Sequence, residues 1–278
     1  MQDAKTVVIT GANTGIGFAT ARHVAGRGHR VILACRNRAR AERAVESLRG
    51  EAPHGGVAFR ELDLSSFDSI HRFADALRSD HPVIDVLVNN AGVFPTRQRF
   101  TEEGFEQQIG VNYLGHFLLT HLLVPTIRES DDGRIIHLSS IIHNLGSIEF
   151  STFRGRKRYR GIAAYGQSKL ANLMFSNELA RRLPASVTSN ALHPGGVDSD
   201  IYRELPRLVY KALRLILISP ERAGRYIADM AVSPEWRGRT GEFKSAHGPL
   251  PVSRRSTDAD LSRRLYEKSC ELTGVAAL

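Results

Sequence analysis

Tyr165 and Lys169 stand four residues apart in Ala164-Tyr165-Gly166-Gln167-Ser168-Lys169-Leu170. On an α-helix that spacing stacks a phenol and an ammonium on one face, one turn apart. A free phenol titrates near ~10, and a fixed positive charge beside it favours the phenolate. The pair is therefore a candidate acid/base for moving a proton closer to neutral pH. Taken alone, the same spacing also describes two unrelated surface residues.

A second chemical signal lies near the start. The strand pattern Lys5-Thr6-Val7-Val8-Ile9-Thr10 runs into Gly11-Ala12-Asn13-Thr14-Gly15-Ile16-Gly17, and a helical pattern follows. Glycines between a strand end and a helix start permit a tight turn. They also let backbone amides approach a phosphate at the positive end of the helix. Three residues separate the first two glycines, where the usual dinucleotide fingerprint has one, and a plain glycine turn reads the same way.

The elements that must position these groups are legible in outline. Apolar, β-branched runs predict strands near 5–10, 30–35, 57–62, 84–89, 133–139 and 187–193. Helical patterns fall near 15–28, 38–50, 66–80, 101–129 (in two pieces) and 164–183, and a short strand near 241–244 is placed to close the sheet edge. Continuous runs such as Val86-Leu87-Val88 suit strands covered on both faces. Strand–helix alternation of this kind predicts a single-domain α/β Rossmann-type fold: a doubly wound parallel sheet with helices on both faces. In such sheets ligands bind beyond the carboxyl ends of the strands, so the glycine loop, Asp63, Asn89 to Gly92, Ser140 and Pro194-Gly195 are expected on one rim.

Thr10-Gly11-x-x-x-Gly15-Ile16-Gly17, Asn89-Asn90-Ala91-Gly92, Ser139-Ser140 ahead of Tyr165-x-x-x-Lys169, and Pro194-Gly195 follow one another in order. This series resembles the short-chain dehydrogenase/reductase superfamily, over residues 10 to 197. The resemblance implies a nicotinamide cofactor and a catalytic set of Asn112, Ser140, Tyr165 and Lys169. Tyr165 would be the general acid/base, and Lys169 would lower its pKa and hold the nicotinamide ribose. Ser140 would hydrogen-bond the substrate oxygen, with Ser139 closer to the cofactor, and Asn112 would hold a water near the lysine.

Cofactor contacts carried over by the same resemblance are Gly11, Asn13, Thr14, Gly15, Ile16 and Gly17 at the phosphates. Asp63 and Leu64 would lie near the adenine. Asn90, Ala91 and Gly92 would present backbone to the adenosine and ribose, while Asn89 would stabilise the sheet. Pro194, Gly195 and Val197 would run under the nicotinamide. Relatives often have a hydroxyl residue after Pro-Gly; here Gly196 stands there, and Ser199 is the substitute.

After the second strand comes Ala34-Cys35-Arg36-Asn37, with Cys35 where a ribose-binding carboxylate is expected. A guanidinium at Arg36, next to Asn37, suits a 2′-phosphate in charge and forked geometry. The cofactor expected is therefore NADP(H). Arg38 and Arg40 could assist, with the helix surface as the favoured role for both, and a solvent-facing charge is the alternative for Arg36.

The long segment between Ser140 and Tyr165, together with Ser139-Ser140-x-x-His143 and Ser168-Lys169-Leu170-Ala171-Asn172, resembles the retinol-dehydrogenase-type branch, shared with protochlorophyllide reductases. That branch implies a lipophilic small-molecule substrate. The segment has no cysteine, which counts against the protochlorophyllide reading. Residues near 198–220 read as an amphipathic substrate-side lid or wall, with core packing as the alternative.

With 278 residues, no low-complexity linker and no internal repeat, residues 1–278 are read as one domain. Two cysteines, Cys35 and Cys270, make no disulfide framework, and a reduced, cytoplasmic setting is expected. The first strand begins within a few residues of the start, leaving no room for a signal peptide, and no apolar stretch is long enough to span a bilayer. The formal charge is +9, yet no nucleic-acid motif accompanies it. The dense run Arg154-Gly155-Arg156-Lys157-Arg158-Tyr159-Arg160 reads as a solvated loop, with a partner or weak peripheral membrane contact as the alternative. His137, His143 and His193 lack metal-ligand spacing, so no metal is expected. The family resemblance implies a homo-oligomer built through the long central helices. A fold that binds cofactor without turnover, as a regulator or scaffold, is the competing function.

Overall fold

A computed structural model describes residues 4–52, 56–195, 219–246 and 248–278. The expected Val197 contact, Gly196, Ser199 and residues 198–218 of the expected lid lie outside the described residues.

Seven strands form one parallel sheet: β1 (Thr6–Thr10), β2 (Arg30–Cys35), β3 (Val57–Glu61), β4 (Val86–Asn89), β5 (Gly133–Leu138), β6 (Val187–His193) and β7 (Phe243–Ser245). Their order is β3-β2-β1-β4-β5-β6-β7, with parallel pairing throughout. Chain order reverses between β1 and β4, and the crevice where a doubly wound sheet takes its ligand opens at that reversal.

Strand residues alternate between two apolar layers. Val8, Ile32, Leu87 and Ile135 pack under α3 (Phe67–Asp80), α5 (Gly115–Ile127) and α6 (Gly161–Arg182). Val7, Ile9, Val31, Leu33, Val86 and Val88 pack on the opposite face. There they meet α1 (Gly15–Ala25), α2 (Arg38–Glu51) and α7 (Pro220–Val232). Burial on both sides explains why these strands are apolar without a polar alternation.

Local chemistry sets the helix starts. Asn37 caps α2 by accepting from the Arg40 amide at 2.9 Å. Ser66 caps α3, and Ser219 with Pro220 opens α7. The helix expected from 101 begins instead at α4 (Gln107–Ile109) and passes through a π-helical turn, Gly110–Leu114, before α5. Residues 101–106 fold back because Gly104 takes φ +76° and the Thr101 amide bonds to the Phe105 carbonyl at 2.9 Å. The buried Glu106 carboxylate then accepts from the amides of Gln108 and Ile109.

Two helices had no counterpart among the expected elements: α7 and the C-terminal α8 (Ala259–Thr273), capped by Asp258 and stopped by left-handed Gly274. Tyr266 of α8 meets His121 of α5 at 2.9 Å, and its ring lies under the Arg182 guanidinium of α6 at 4.0 Å. Tyr113 bonds Ser269 at 2.8 Å. α8 thus packs on the two long central helices.

The arginine-rich run is only partly the solvated loop expected. Arg154 lies 4.5 Å over the Phe105 ring and donates to the Glu103 carbonyl. Arg156 donates to Gln167 Oε1 at 3.1 Å, and its amide bonds Gln98 at 2.7 Å. Lys157, Arg158 and Arg160 are exposed. Arg156 fastens this segment to α6, while Arg154 ties it to the 103–105 turn.

Candidate active site

The loop after β1 begins the site. Gly11 and Gly15 take φ of 65° and 58°, which side-chain-bearing residues rarely adopt. A Cβ on Gly17 would lie 2.6 Å from Asn90 Nδ2 and 2.7 Å from the Gly11 carbonyl. Thr14, at the N-cap of α1, makes no side-chain capping bond, and the first turn of α1 carries no acidic residue. The leading amides are therefore left to an outside anion.

A cleft of about 490 Å³ runs along this rim, a size suited to a small-molecule or cofactor site. It is lined by Gly11, Asn13, Thr14, Gly15, Ile16 and Gly17 from the first loop. Arg36, Asn37, Asp63 and Leu64 stand at one end, and Asn90, Ala91 and Gly92 come from the loop after β4. Ser139, Tyr165, Lys169, Pro194 and Gly195 also face it. Residues far apart in sequence meet here because each follows the carboxyl end of a strand or lies on α6. The positive, amide-rich lining and glycine cradle fit a dinucleotide phosphate.

At the outer end, Arg36 Nη1 is 3.6 Å from Asp63 Oδ2. The other Asp63 oxygen is occupied by the Ser65 amide and hydroxyl at 2.9 and 2.6 Å. Arg40, exposed on the first turn of α2, also lines the cleft, the assisting position left open for it. Arg38 does belong to that surface, pairing with Glu42 and Glu61 and stacking on Phe59. Cys35 is buried, and desolvation pushes its thiol up to about 11, so it carries no charge there.

The other end holds the proton-transfer candidates. Lys169 is buried, and desolvation lowers its pKa to about 8. Its Nζ donates to the Leu138 carbonyl at 2.9 Å and lies 5.5 Å from the centroid of the Tyr165 ring. The Ser139 hydroxyl donates to the Lys169 carbonyl at 2.8 Å, tying the end of β5 to α6. Phe94, absent from the expected site, lines the cleft and meets the Tyr165 ring edge-on at 5.1 Å between centroids.

Ser140 and Asn112 do not line the cleft. Ser140 opens a short 3₁₀ turn, Ile141–Leu145, its Oγ accepting from the Ile142 amide at 3.3 Å. That turn packs directly on α6 beside Tyr165: a Cβ on Gly146 would lie 2.3 Å from the Gly166 carbonyl oxygen. Asn112 stands behind the cleft, fully buried in the π-helical turn. Its side chain accepts from the Val93 amide at 2.8 Å and donates to the Val93 carbonyl and Ser168 Oγ, both at 3.1 Å. It thereby joins the loop after β4 to α6.

The histidines have local partners. His143 donates Nδ1–H to the Ser140 carbonyl at 2.6 Å and accepts from the Ser253 amide at 3.2 Å. The Ile141 amide donates to His193 Nδ1 at 3.3 Å, and His137 pairs with Asn89 across the sheet. Among the described residues no group of three or more His, Cys, Asp or Glu is placed to hold a metal. Beyond Ser140, Ile141, Leu145 and Val252 expose apolar side chains, Leu145 at 70%. No described helix is long and apolar enough to cross a membrane.

A doubly wound parallel sheet with a glycine-turn cleft at its strand reversal is the arrangement of a dinucleotide-binding fold. The short chain dehydrogenase model matches residues 5–207, and the chain belongs to that family. It is 42% identical to retinol dehydrogenase 12 of Mus musculus over 98% of this chain and 87% of that one. It is 41% identical to retinol dehydrogenase 13 of Homo sapiens, over 98% and 86%. Among solved structures, a putative uncharacterized protein from Mycobacterium paratuberculosis superposes with a TM-score of 0.80 at 36% identity, over 98% of this chain and 94% of that one. The resemblance to the retinol-dehydrogenase-type branch therefore holds over nearly the whole chain.

Proposed function

We propose that this protein is an NADP(H)-dependent oxidoreductase that interconverts a carbonyl and an alcohol on a lipophilic small molecule. One observation carries the reading: a single cleft takes in a phosphate-type glycine loop and arginines at one end, and a tyrosine–lysine pair at the other.

The nicotinamide group supplies or accepts the hydride when bound. The chain's own residues handle the proton. In the reducing direction Tyr165 gives its phenolic proton to the substrate oxygen, and the Lys169 ammonium stabilises the phenolate left behind. Burial that brings Lys169 to about 8 leaves it charged at neutral pH. Ser140 uses an acceptor lone pair in capping its turn, which leaves its hydroxyl hydrogen for the substrate oxygen. Asn112 bonds Ser168, the chain neighbour of Lys169 on α6. In the oxidising direction each proton moves back.

Preference for the phosphorylated cofactor is supported by Arg36 and Arg40 on the cleft and an uncharged Cys35 where a carboxylate would repel phosphate. Asp63 opposes them, yet its pair with Arg36 is exposed, and such pairs contribute at most about 1 kcal/mol. A 2′-phosphate can displace it. The lipophilic substrate is supported by Phe94 against Tyr165, by the apolar side chains beyond Ser140, and by relatives named as retinol dehydrogenases.

The test is to titrate the purified protein with NADPH and NADH, then follow NADPH oxidation over a panel of retinoid, steroid and fatty aldehydes and ketones. Tight NADPH binding with turnover of the apolar members is expected. Tight binding with no turnover on any class would favour the regulator reading instead.

A further inference from the structure

His116, on α5, is buried to 2% exposure and has no place in the mechanism above. We infer that it is a positioning residue that braces Asn112, the asparagine expected to hold a water near Lys169, against the cofactor cradle. This rests on the proposed dinucleotide-dependent function.

The hydrogen-bond directions around the ring are determined by chemistry. Nδ1 lies 3.1 Å from the Asn112 carbonyl oxygen; a carbonyl only accepts, so Nδ1 carries the hydrogen. Nε2 lies 2.9 Å from Thr10 Oγ1. That hydroxyl already accepts from the amides of Asn90 and Ala91, both at 2.9 Å. Its own hydrogen therefore goes to Nε2, the competing Val88 carbonyl being further away at 3.4 Å. The result is one directed chain: Asn90 and Ala91 amides to Thr10, Thr10 to His116, His116 to Asn112. Burial, with the nearby Lys169 charge, lowers the His116 pKa to about 4, so the ring stays neutral and the chain keeps its direction at working pH.

Each end of the chain serves a different half of the site. Asn90 and Ala91 line the cofactor cleft. Asn112 lies in a π-helical turn, where the regular helical ladder is broken. Both amide hydrogens and one oxygen lone pair of its side chain go to Val93 and Ser168, while His116 holds its backbone carbonyl. The ring is thus a strut between cradle and Asn112, and its two nitrogens are separable.

Two substitutions separate them. His116→Asn places an amide nitrogen near the Nδ1 position and keeps the Asn112 bond while losing Thr10. His116→Gln places an oxygen near Nε2 and keeps the Thr10 bond while losing Asn112. Fluorescence titration with NADPH, steady-state kcat and thermal melting are measured on each. His116→Asn should weaken NADPH binding several-fold, to about tenfold, with kcat close to wild type; His116→Gln should do the reverse. Thr10→Val should copy His116→Asn, and Thr10→Ser should restore wild-type binding, which keeps the test decisive if a histidine variant fails to fold. Both histidine variants losing binding and kcat together, in step with melting temperature, would overturn the inference. Wild-type protein that binds no NADPH would reject the functional reading itself, and the strut with it.

Discussion

The Lys169 ammonium lies 5.5 Å from the centre of the Tyr165 ring, held there by a 2.9 Å bond to the Leu138 carbonyl at the end of β5. The helix supplies the one-turn spacing, and the strand end fixes where the charge sits. A lysine fixed at a strand end and buried loses little freedom on acting, so its charge is preorganised for the phenolate.

Cofactor choice is assigned to the arginines at the far end of the cleft. Arg36→Asp should lower the NADPH-over-NADH ratio of kcat/KM by roughly 10- to 100-fold, the size of one charge-assisted hydrogen bond lost and a repulsion gained. Arg40→Ala should lower it less. Arg38→Ala, whose partners are Glu42, Glu61 and Phe59, should leave it unchanged. Kinetics with both cofactors check the series, and an unchanged ratio in Arg36→Asp would contradict the phosphate contact.

The approach of the Ser140 turn to α6 depends on two glycines meeting. Gly146→Ala would bring a methyl group within 2.3 Å of the Gly166 carbonyl, and the turn must move away. Overpacking of this kind costs about 1–3 kcal/mol. Turnover should fall at least tenfold on the scale of a displaced oxyanion donor, with NADPH affinity retained. Steady-state rates, NADPH titration and a thermal melt together check this; wild-type turnover would show that Ser140 does not need this contact.

Acid should unfold the protein earlier than carboxylate titration alone would. Burial lowers His116 and His121 to about 4 and His137 to about 3. In the unfolded chain these rings titrate near ~6.5. Between those values the unfolded chain binds protons that the folded chain refuses. Their stabilisation is therefore complete above ~6.5 and is lost as pH falls toward 4, at up to ~1.4 kcal/mol per pH unit for each ring. Urea midpoints at pH 7.5, 6 and 5 should drop steeply across the lower interval, and a flat series would contradict the neutral rings.

Much of this molecule was readable before its structure. Central strands such as β4 were legible because a continuous apolar run like Val86-Leu87-Val88 suits a sheet buried on both faces. The glycine loop and the Tyr165–Lys169 spacing carried their chemistry in local order. α7 went unread although its signal was present: Ala223, Ile227, Met230 and Ala231 recur at helical spacing behind the Ser219-Pro220 start. Phe94 and His116 escaped for a different reason: each acts through a partner remote in sequence, Tyr165 for Phe94 and Thr10 for His116. The pattern Asn112-x-x-x-His116, one helical turn apart, was the available signal for the last.

The most direct test is Tyr165→Phe, which removes one hydroxyl and leaves the ring against Phe94. NADPH affinity by titration should be preserved, while kcat on the best aldehyde or ketone falls roughly 10²- to 10⁴-fold, the usual worth of a positioned proton donor. Turnover retained in that variant would contradict the acid/base assignment on which the proposed function stands.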